Sequence, residues 1–438
     1  MISAQKEKFI NDVESANFVR RIGHVDQFIG GLVESIGPDV FLGEVCEIHS
    51  KLNASIVKAE VVGFKAGLVQ LIPYGDLRGI QIGSEVVATG KTIKISVGDD
   101  LLGKVVDAFG NVISSKYRVS SKQEVSIFNK SENLLLRPKI TTQLETQIKI
   151  IDSLLAIGKG QKLGIFSGSG VGKSTLLGML AKNVKSDVNV IALVGERSRE
   201  VVEFIDEILG DEGLKKSIVV VATSEESALS RTHAAFTASA IAEYFSKAGK
   251  DVLFLMDSVT RLAMAQREIG LLVGEPPTAK GYTPSVFSIL PKLIERAGNS
   301  SSGGSITGLY TVLVEGDDLN EPISDYVRAT LDGHIVLSRK LSNAGNYPAI
   351  DLLNSKSRLA DKLLTDDQKE LCTKVLEIYS MYHEYKDMIN IGAYKHGTNP
   401  VLDVAIKKYT LLNGFFKQGT SEQVSLKDTY SGIKSIVY

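Results

Sequence analysis

Nothing constrains the fold of this chain more than Leu163–Ala181, LGIFSGSGVGKSTLLGMLA. An apolar run over Leu163–Phe166 gives way to Ser167, Gly168, Ser169, Gly170, Val171 and Gly172. Lys173, Ser174 and Thr175 follow, and then an apolar helical pattern through Leu177 and Leu180. That order predicts strand, glycine loop, helix. Glycine lets the backbone turn its N–H groups inward around phosphate oxygens, and the helix adds the positive end of its dipole. Lys173 would sit on the β- and γ-phosphates and Ser174 on Mg²⁺. The usual spacing asks for a glycine five residues before Gly172, where Ser167 stands; serine is small enough to keep the loop. A flexible glycine linker is the rival reading, and the flanking strand and helix count against it.

With 438 residues the chain has length for about three domains with filled cores. Its 50 Lys and Arg nearly balance 51 Asp and Glu, so no polyanionic partner is implied and a nucleic-acid enzyme is disfavoured. Cys46 and Cys372 are far apart and offer neither a disulfide framework nor metal-ligand spacing, which fits reduced thiols. No apolar run approaches the roughly 20 residues that cross a bilayer. Met1–Ile22 mixes both charge signs with apolar residues and does not read as a secretory signal.

Residues 1 to about 22 are expected to form a helix with Phe9, Val13 and Ala16 on one face, packed on its own domain or docked on a partner. From Gly23 to about Gly90 short β-type runs are punctuated by glycine: Val40–Leu42, Ile56–Val57, Leu68–Ile72, Ile80–Ile82 and Glu85–Ala88. This spacing favours a small closed barrel. From about Lys91 to Ala360 strands and helices alternate, implying a mostly parallel sheet covered on both faces. The expected strands are Leu163–Phe166, Val188–Val194, Ile218–Val221, Val252–Met256 and Leu309–Val314; the expected helices are Ser174–Lys182, Arg199–Leu209 and Arg231–Ala248. After Ala360 the pattern is all helical, opened by the capping box Thr365-Asp-Asp-Gln368 and resumed at Pro400 and Leu426. The expected fold is therefore α/β: a P-loop core, residues 91–360, with an N-terminal helix and β-barrel, 1–90, and a C-terminal helical domain, 361–438.

In open parallel sheets ligands bind beyond the carboxyl ends of the strands, so the polar residues there come next. Asp257 ends the run Val252–Met256, where it would hold the water shell of the Mg²⁺ ligated by Ser174 or else cap the next helix. Glu196 ends Val188–Val194 and is placed to deprotonate the water attacking a γ-phosphate, with Arg197 holding the charge on the phosphoryl oxygens. A solvated charge cluster opening a helix, with Arg199 and Glu200, is equally consistent with that stretch. Arg261 is divided between a phosphate and an ion pair. Tyr347, beside Pro348, offers a rigid stacking surface for adenine or is ordinary core. Local logic does not place Arg358. The six histidines show no ligand spacing.

The stretch Gly164–Arg358 resembles the catalytic subunits of rotary ATPases with the RecA-like core. Within that class the chain is most similar to the export ATPases of type III secretion, flagellar and injectisome. The resemblance is carried by Ala235-Phe-Thr-Ala238 with Ile241–Phe245, by Gly274–Tyr282, by Tyr310–Asp318, by Leu331–Arg339, and by Gly392-Ala-Tyr394 with Asn399–Asp403. It is weakest before about Gly98 and after Gly414, and Thr283 stands where relatives often have proline. The resemblance implies Lys173 and Ser174 as phosphate and magnesium residues, Glu196 as catalytic base, Arg197 and Arg261 as phosphate-side arginines, and Asp257 as magnesium carboxylate. It makes Tyr347 the adenine-stacking aromatic. Arg358 matches the arginine finger that reaches into a neighbouring subunit, so the active enzyme is expected to be a homohexamer. Implied partners are a stator-like regulator at the N-terminal helix, export chaperones, exported proteins and a membrane export gate. The implied location is cytoplasmic and peripheral to the membrane apparatus. Another rotary-type catalytic subunit, a non-catalytic ring subunit and a hexameric RNA translocase share the core and stand as rivals. The last would need a basic, aromatic surface on the barrel, and no dense cluster is present there.

Overall fold

The structure is a computed structural model and describes residues 20–51, 55–113, 123–129 and 132–438. The chain forms two compact units, one holding the chain up to Ile93 with Ile269–Glu275, the other Lys94–Glu268 with Pro276–Tyr438.

In the first unit β1 (Ile22–Ile29), β2 (Leu32–Ile36), β3 (Val45–His49), β4 (Ile56–Lys65), β5 (Leu68–Pro73) and β6 (Glu85–Ala88) close into a barrel in the order β1-β2-β5-β4-β3-β6. Every pairing is antiparallel, and closure removes the exposed edges an open sheet would leave. Val33, Cys46, Ile48, Ala59, Leu71 and Val86 fill the interior. Two expected strands are absent. Val40–Leu42 is a turn, because buried Glu44 accepts the Phe41 N–H at 3.2 Å and the Gly90 N–H at 2.6 Å and draws the chain back on itself. Ile80–Ile82 is likewise turned, by bonds from Ile80 N to Leu77 O and from Ser84 N to Gln81 O, both 3.0 Å. The helix expected over residues 1 to about 22 lies mostly outside the described residues. Its last part is corrected, since Arg20 and Arg21 are not helical and Ile22 opens β1.

The second unit is built on β7 (Val105–Val106), β8 (Lys162–Ser167), β9 (Val188–Glu196), β10 (Ser217–Thr223), β11 (Asp251–Asp257), β12 (Ser305–Leu313), β13 (Gly333–Leu337) and β14 (Ile350–Ser357). Their order is β14-β13-β8-β12-β11-β9-β10-β7, with Gly298–Asn299 added along β12. All neighbours on this path are parallel except β13 and β14. Strand β9, VNVIALVGE, is buried at every position, as a strand covered on both faces must be. The register sets Ser167 beside Leu313, Met256 beside Tyr310 and Leu193 beside Asp257, so β8, β12, β11 and β9 end together at one edge.

Helix α1 (Lys173–Asn183) follows β8 directly. The helix expected over Arg199–Leu209 is α2 (Ser198–Glu203) broken into a π-helical turn over Phe204–Leu209. Helix α3 (Ala228–Lys247) is capped by Ser227, whose side chain accepts the Ser230 N–H, and α4 spans Val259–Leu272. The tail is α5 (Asp366–Asn390), α6 (Pro400–Phe416) and α7 (Leu426–Val437). Thr365 and Gln368 close the capping box at the start of α5. Leu371, Val375, Leu412, Phe416 and Ile433 belong to the same hydrophobic cluster as Leu163 and Ile165 of β8, so the tail shares the core of the sheet.

Candidate active site

The common edge of β8, β12, β11 and β9 opens into a cleft of about 1040 Å³. Its floor is the turn from Ser167 to Lys173. Gly170 at φ +74° and Gly172 at φ +89° take the left-handed backbone that lets a loop curl its amides inward. Gly172 meets a second demand, because a Cβ there would stand 3.2 Å from the Tyr347 ring. Ser167 is 2% exposed, and its carbonyl accepts the Val314 N–H at 3.0 Å, so serine is accommodated where glycine is usual.

Lys173, first residue of α1, carries its ammonium to the ends of β11 and β9. It bonds Asp257 Oδ1 closely and lies 3.6 Å from Glu196 Oε1. Asp257 also accepts from the Thr311 hydroxyl of β12 at 2.7 Å. Glu196 gains its position from a bulge: Gly195, at φ +71°, shifts the register between β9 and β10 and re-aims the next side chain. A Cβ on Gly195 would come within 3.1 Å of the Arg261 side chain, which runs over that glycine. Arg261 Nη1 donates to Gly195 O at 2.7 Å, its Nη2 to Glu196 Oε2 at 3.1 Å, and its Nε lies 3.0 Å from Glu196 Oε1.

Two carboxylates and two cations thus converge at the strand ends with little water, Glu196 being 7% and Asp257 5% exposed. Burial, and then the nearby Asp257 charge, push the Glu196 carboxyl up to about 7, against the pull of Lys173 and Arg261. The hydrogen bond between Glu196 and Glu200 favours the proton on Glu196 and holds Glu200 low. A carboxyl tuned near neutrality beside an anion nest can take a proton from a bound water.

Of the residues singled out in the sequence, Ser167, Gly168, Ser169, Gly170, Gly172, Lys173, Ser174, Thr175, Glu196, Asp257, Arg261 and Tyr347 all line this cleft, and Val171 is buried beneath it. Tyr347 keeps 44% of its surface open, and its hydroxyl is 2.9 Å from that of Ser342. Arg197 stands at the rim, its side chain 78% exposed and 3.8 Å from Glu200. Arg358 is exposed and does not line this cleft; its guanidinium donates to Arg328 O at 3.5 Å.

The sequence reading missed three groups that line the cleft. Gln418–Thr420, from the turn after α6, are tied to its Tyr347 end, where the Gln418 N–H donates to Tyr347 O at 2.9 Å and Gln418 Oε1 accepts the Lys149 N–H at 2.9 Å. Arg339 reaches Ser169 O at 2.9 Å. Glu315 and Gly316 follow β12. None has a local signature; only the strand order brings them to the loop.

A glycine-loop helix, a carboxylate at the end of a neighbouring strand and a second, proton-tuned carboxylate define a P-loop nucleotide-hydrolysing module. The chain matches the ATP synthase alpha/beta family over its nucleotide-binding domain at residues 147–357 and its beta-barrel domain at 25–90, and the T3SS EscN ATPase C-terminal domain at 364–435. It is 50% identical to the flagellum-specific ATP synthase of Bacillus subtilis (strain 168) over 431 residues, 98% of each chain. It is 42% identical to the type 3 secretion system ATPase of Xanthomonas euvesicatoria, over 95% of this chain and 94% of that one. Among solved structures, the assembled ATPase EscN of the enteropathogenic E. coli type III secretion system superposes with a TM-score of 0.90 at 40% identity, over 95% of this chain and all of the other. The same ATPase in complex with its central stalk EscO gives 0.87. The chain belongs to the family of flagellum-specific ATP synthases and type III secretion ATPases, and it is an ATPase of the export class.

Proposed function

We propose that the cleft binds Mg-ATP and hydrolyses it to drive protein export. Lys173 and the loop amides hold the β- and γ-phosphates, and Tyr347 stacks on the adenine with Gln418–Thr420 beside it. Glu196 takes the proton of the attacking water. Arg261 and Arg197 face the phosphoryl oxygens, Arg197 by turning inward from the rim.

The donor set fits magnesium: one hydroxyl, Ser174, and one carboxylate, Asp257, suit a hard cation that keeps several waters and takes its other oxygens from the nucleotide. When bound, the ion neutralises charge on the β- and γ-phosphates. Lys173, which pairs with Asp257 in this state, would turn to the phosphates on binding.

Arg358 cannot serve its own cleft from its present place and is assigned to the site of a neighbouring copy in a homohexamer. The proposed domains are 1–90, 91–360 and 361–438. The proposed partners are a stator-like regulator at the N-terminal segment, chaperones with their cargo, and the membrane export gate, which the enzyme meets from the cytoplasm.

The observation that carries this reading is Lys173 bridging Asp257 and Glu196 at the mouth of the glycine nest. The test is Mg²⁺-dependent phosphate release per subunit against protein concentration. Turnover should rise as rings assemble; concentration-independent turnover by a stable monomer would refute the shared site.

A further inference from the structure

One ion pair at the cleft has no part in the roles above. Strand β8 lies between β12 and β13, and a loop from each of these neighbours crosses over the glycine turn. Asp317 stands in the loop after β12, and Arg339 follows β13. Arg339 Nη1 donates to Ser169 O at 2.9 Å, while its Nε lies 3.3 Å from Asp317 Oδ2. The pair rests directly on Gly168, where a Cβ would come within 2.5 Å of both Arg339 Nη2 and Asp317 Oδ1.

The geometry has a consequence for phosphate binding. In a trans peptide the C=O and the following N–H point in opposite directions. A guanidinium that holds the Ser169 carbonyl therefore turns the Gly170 N–H away from Arg339. Gly170, at φ +74°, accepts that orientation without a Cβ clash, and its N–H bonds to no other described residue. The donor stays free for an incoming anion.

We propose that Arg339, held in place by Asp317, is a positioning residue that fixes the Ser169–Gly170 peptide so that the Gly170 N–H faces a phosphate of the bound nucleotide. The assignment rests on the reading of the cleft as an ATP site. Arg339 acts through the loop and does not touch the nucleotide. Asp317 matters because it keeps the fork on the carbonyl, a geometry lysine does not reproduce.

Both side chains are about half exposed, 47% for Arg339 and 51% for Asp317, so neither substitution empties a core. The test measures KM and kcat for ATP, direct binding of a fluorescent ATP analogue, and melting temperature for Arg339→Ala, Asp317→Asn and the double variant. Arg339→Ala should raise KM and the dissociation constant about tenfold while kcat and melting temperature hold, as loss of one charge-assisted hydrogen bond implies. Asp317→Asn should move the same quantities in the same direction, and the double variant should be no worse than Arg339→Ala alone. The proposal is overturned if Arg339→Ala leaves KM within twofold of wild type. It is overturned equally if Asp317→Asn tightens binding, for then Arg339 contacts the nucleotide itself. Absence of ATP binding by the wild-type chain would instead sink the reading of the cleft, a result separable from either of these.

Discussion

Replacing Glu196 with glutamine separates the chemistry of the cleft from its construction. The amide keeps the size of the carboxyl and can still accept from Arg261, so ATP should bind within a few-fold of wild type. Proton abstraction is lost. A general base contributes about 10²–10⁴-fold, so kcat should fall by that factor, or about 3–5 kcal/mol in the barrier. The variant has a second effect opposite in sign. The Glu196 carboxyl titrates at about 7 in the folded protein against 4.5 when unperturbed. The folded state thus prefers the protonated form. Its stabilising contribution is complete below pH 4.5 and is lost as pH rises through 7. At pH 8 the buried, ionised Glu196 destabilises the nucleotide-free protein by up to about 3 kcal/mol, which glutamine avoids.

Glu196→Gln should therefore be nearly inactive yet melt several degrees higher than wild type at pH 8, with the two curves converging near pH 5. Phosphate-release kinetics, analogue binding and calorimetry of the nucleotide-free protein at both pH values read the three quantities. A kcat within tenfold of wild type removes Glu196 as the base. A melting difference that does not change between pH 5 and pH 8 removes the electrostatic account of its tuning.

Lys173→Ala takes the shared cation from two buried carboxylates, so nucleotide binding should vanish and nucleotide-free stability fall by roughly 3 kcal/mol at pH 8 and less at pH 5. Equal losses at both pH values in calorimetry would contradict the electrostatic reading. Arg358→Ala should leave analogue binding unchanged and lower kcat about 10³-fold. Mixing it with Lys173→Ala subunits should restore part of the turnover, and absence of rescue in the mixed sample counts against action across an interface. Arg296 is 4% exposed, donates to Glu243 at 2.6 and 2.9 Å and to Ile127 O at 2.6 Å, so Arg296→Met should destabilise by about 3–5 kcal/mol in denaturant melts. Adding Glu243→Leu should recover most of that loss; no recovery would place the damage in packing and not in the stranded carboxylate.

The parts of the site legible in the sequence are those in which local chemistry and long-range placement agree. Leu163–Phe166, Val188–Val194 and Val252–Met256 are apolar at nearly every position, as strands of a doubly covered sheet must be, and the polar residue ending each run falls in the cleft. Where a strand buries polar groups, that signal fails. Glu34 in β2 is 4% exposed because Gln70 and Gln27 donate to its carboxylate at 2.9 and 2.7 Å, and such pairing erases the alternation that would have marked β1 and β2. Edge strand β14 failed for another reason: Leu353, Asn354 and Lys356 within it are open to solvent.

The same contrast divides the cleft. Lys173, Asp257 and Glu196 each sit within one residue of a strand end or a helix start, so their places in the cleft follow from local position. Arg339, Asp317 and Gln418 act through partners many residues away, Ser169 and Tyr347 among them, and no local period encodes such a pairing. What places them is the strand order, which sets β12 and β13 on either side of β8. The turns leaving those neighbours must then pass over the glycine loop, and glycine at 168 leaves room for the charged pair that crosses it. The loop sequence thus meets two demands at once, an inner surface for an anion and an outer surface for a guanidinium, and a phosphate-binding pattern describes only the first.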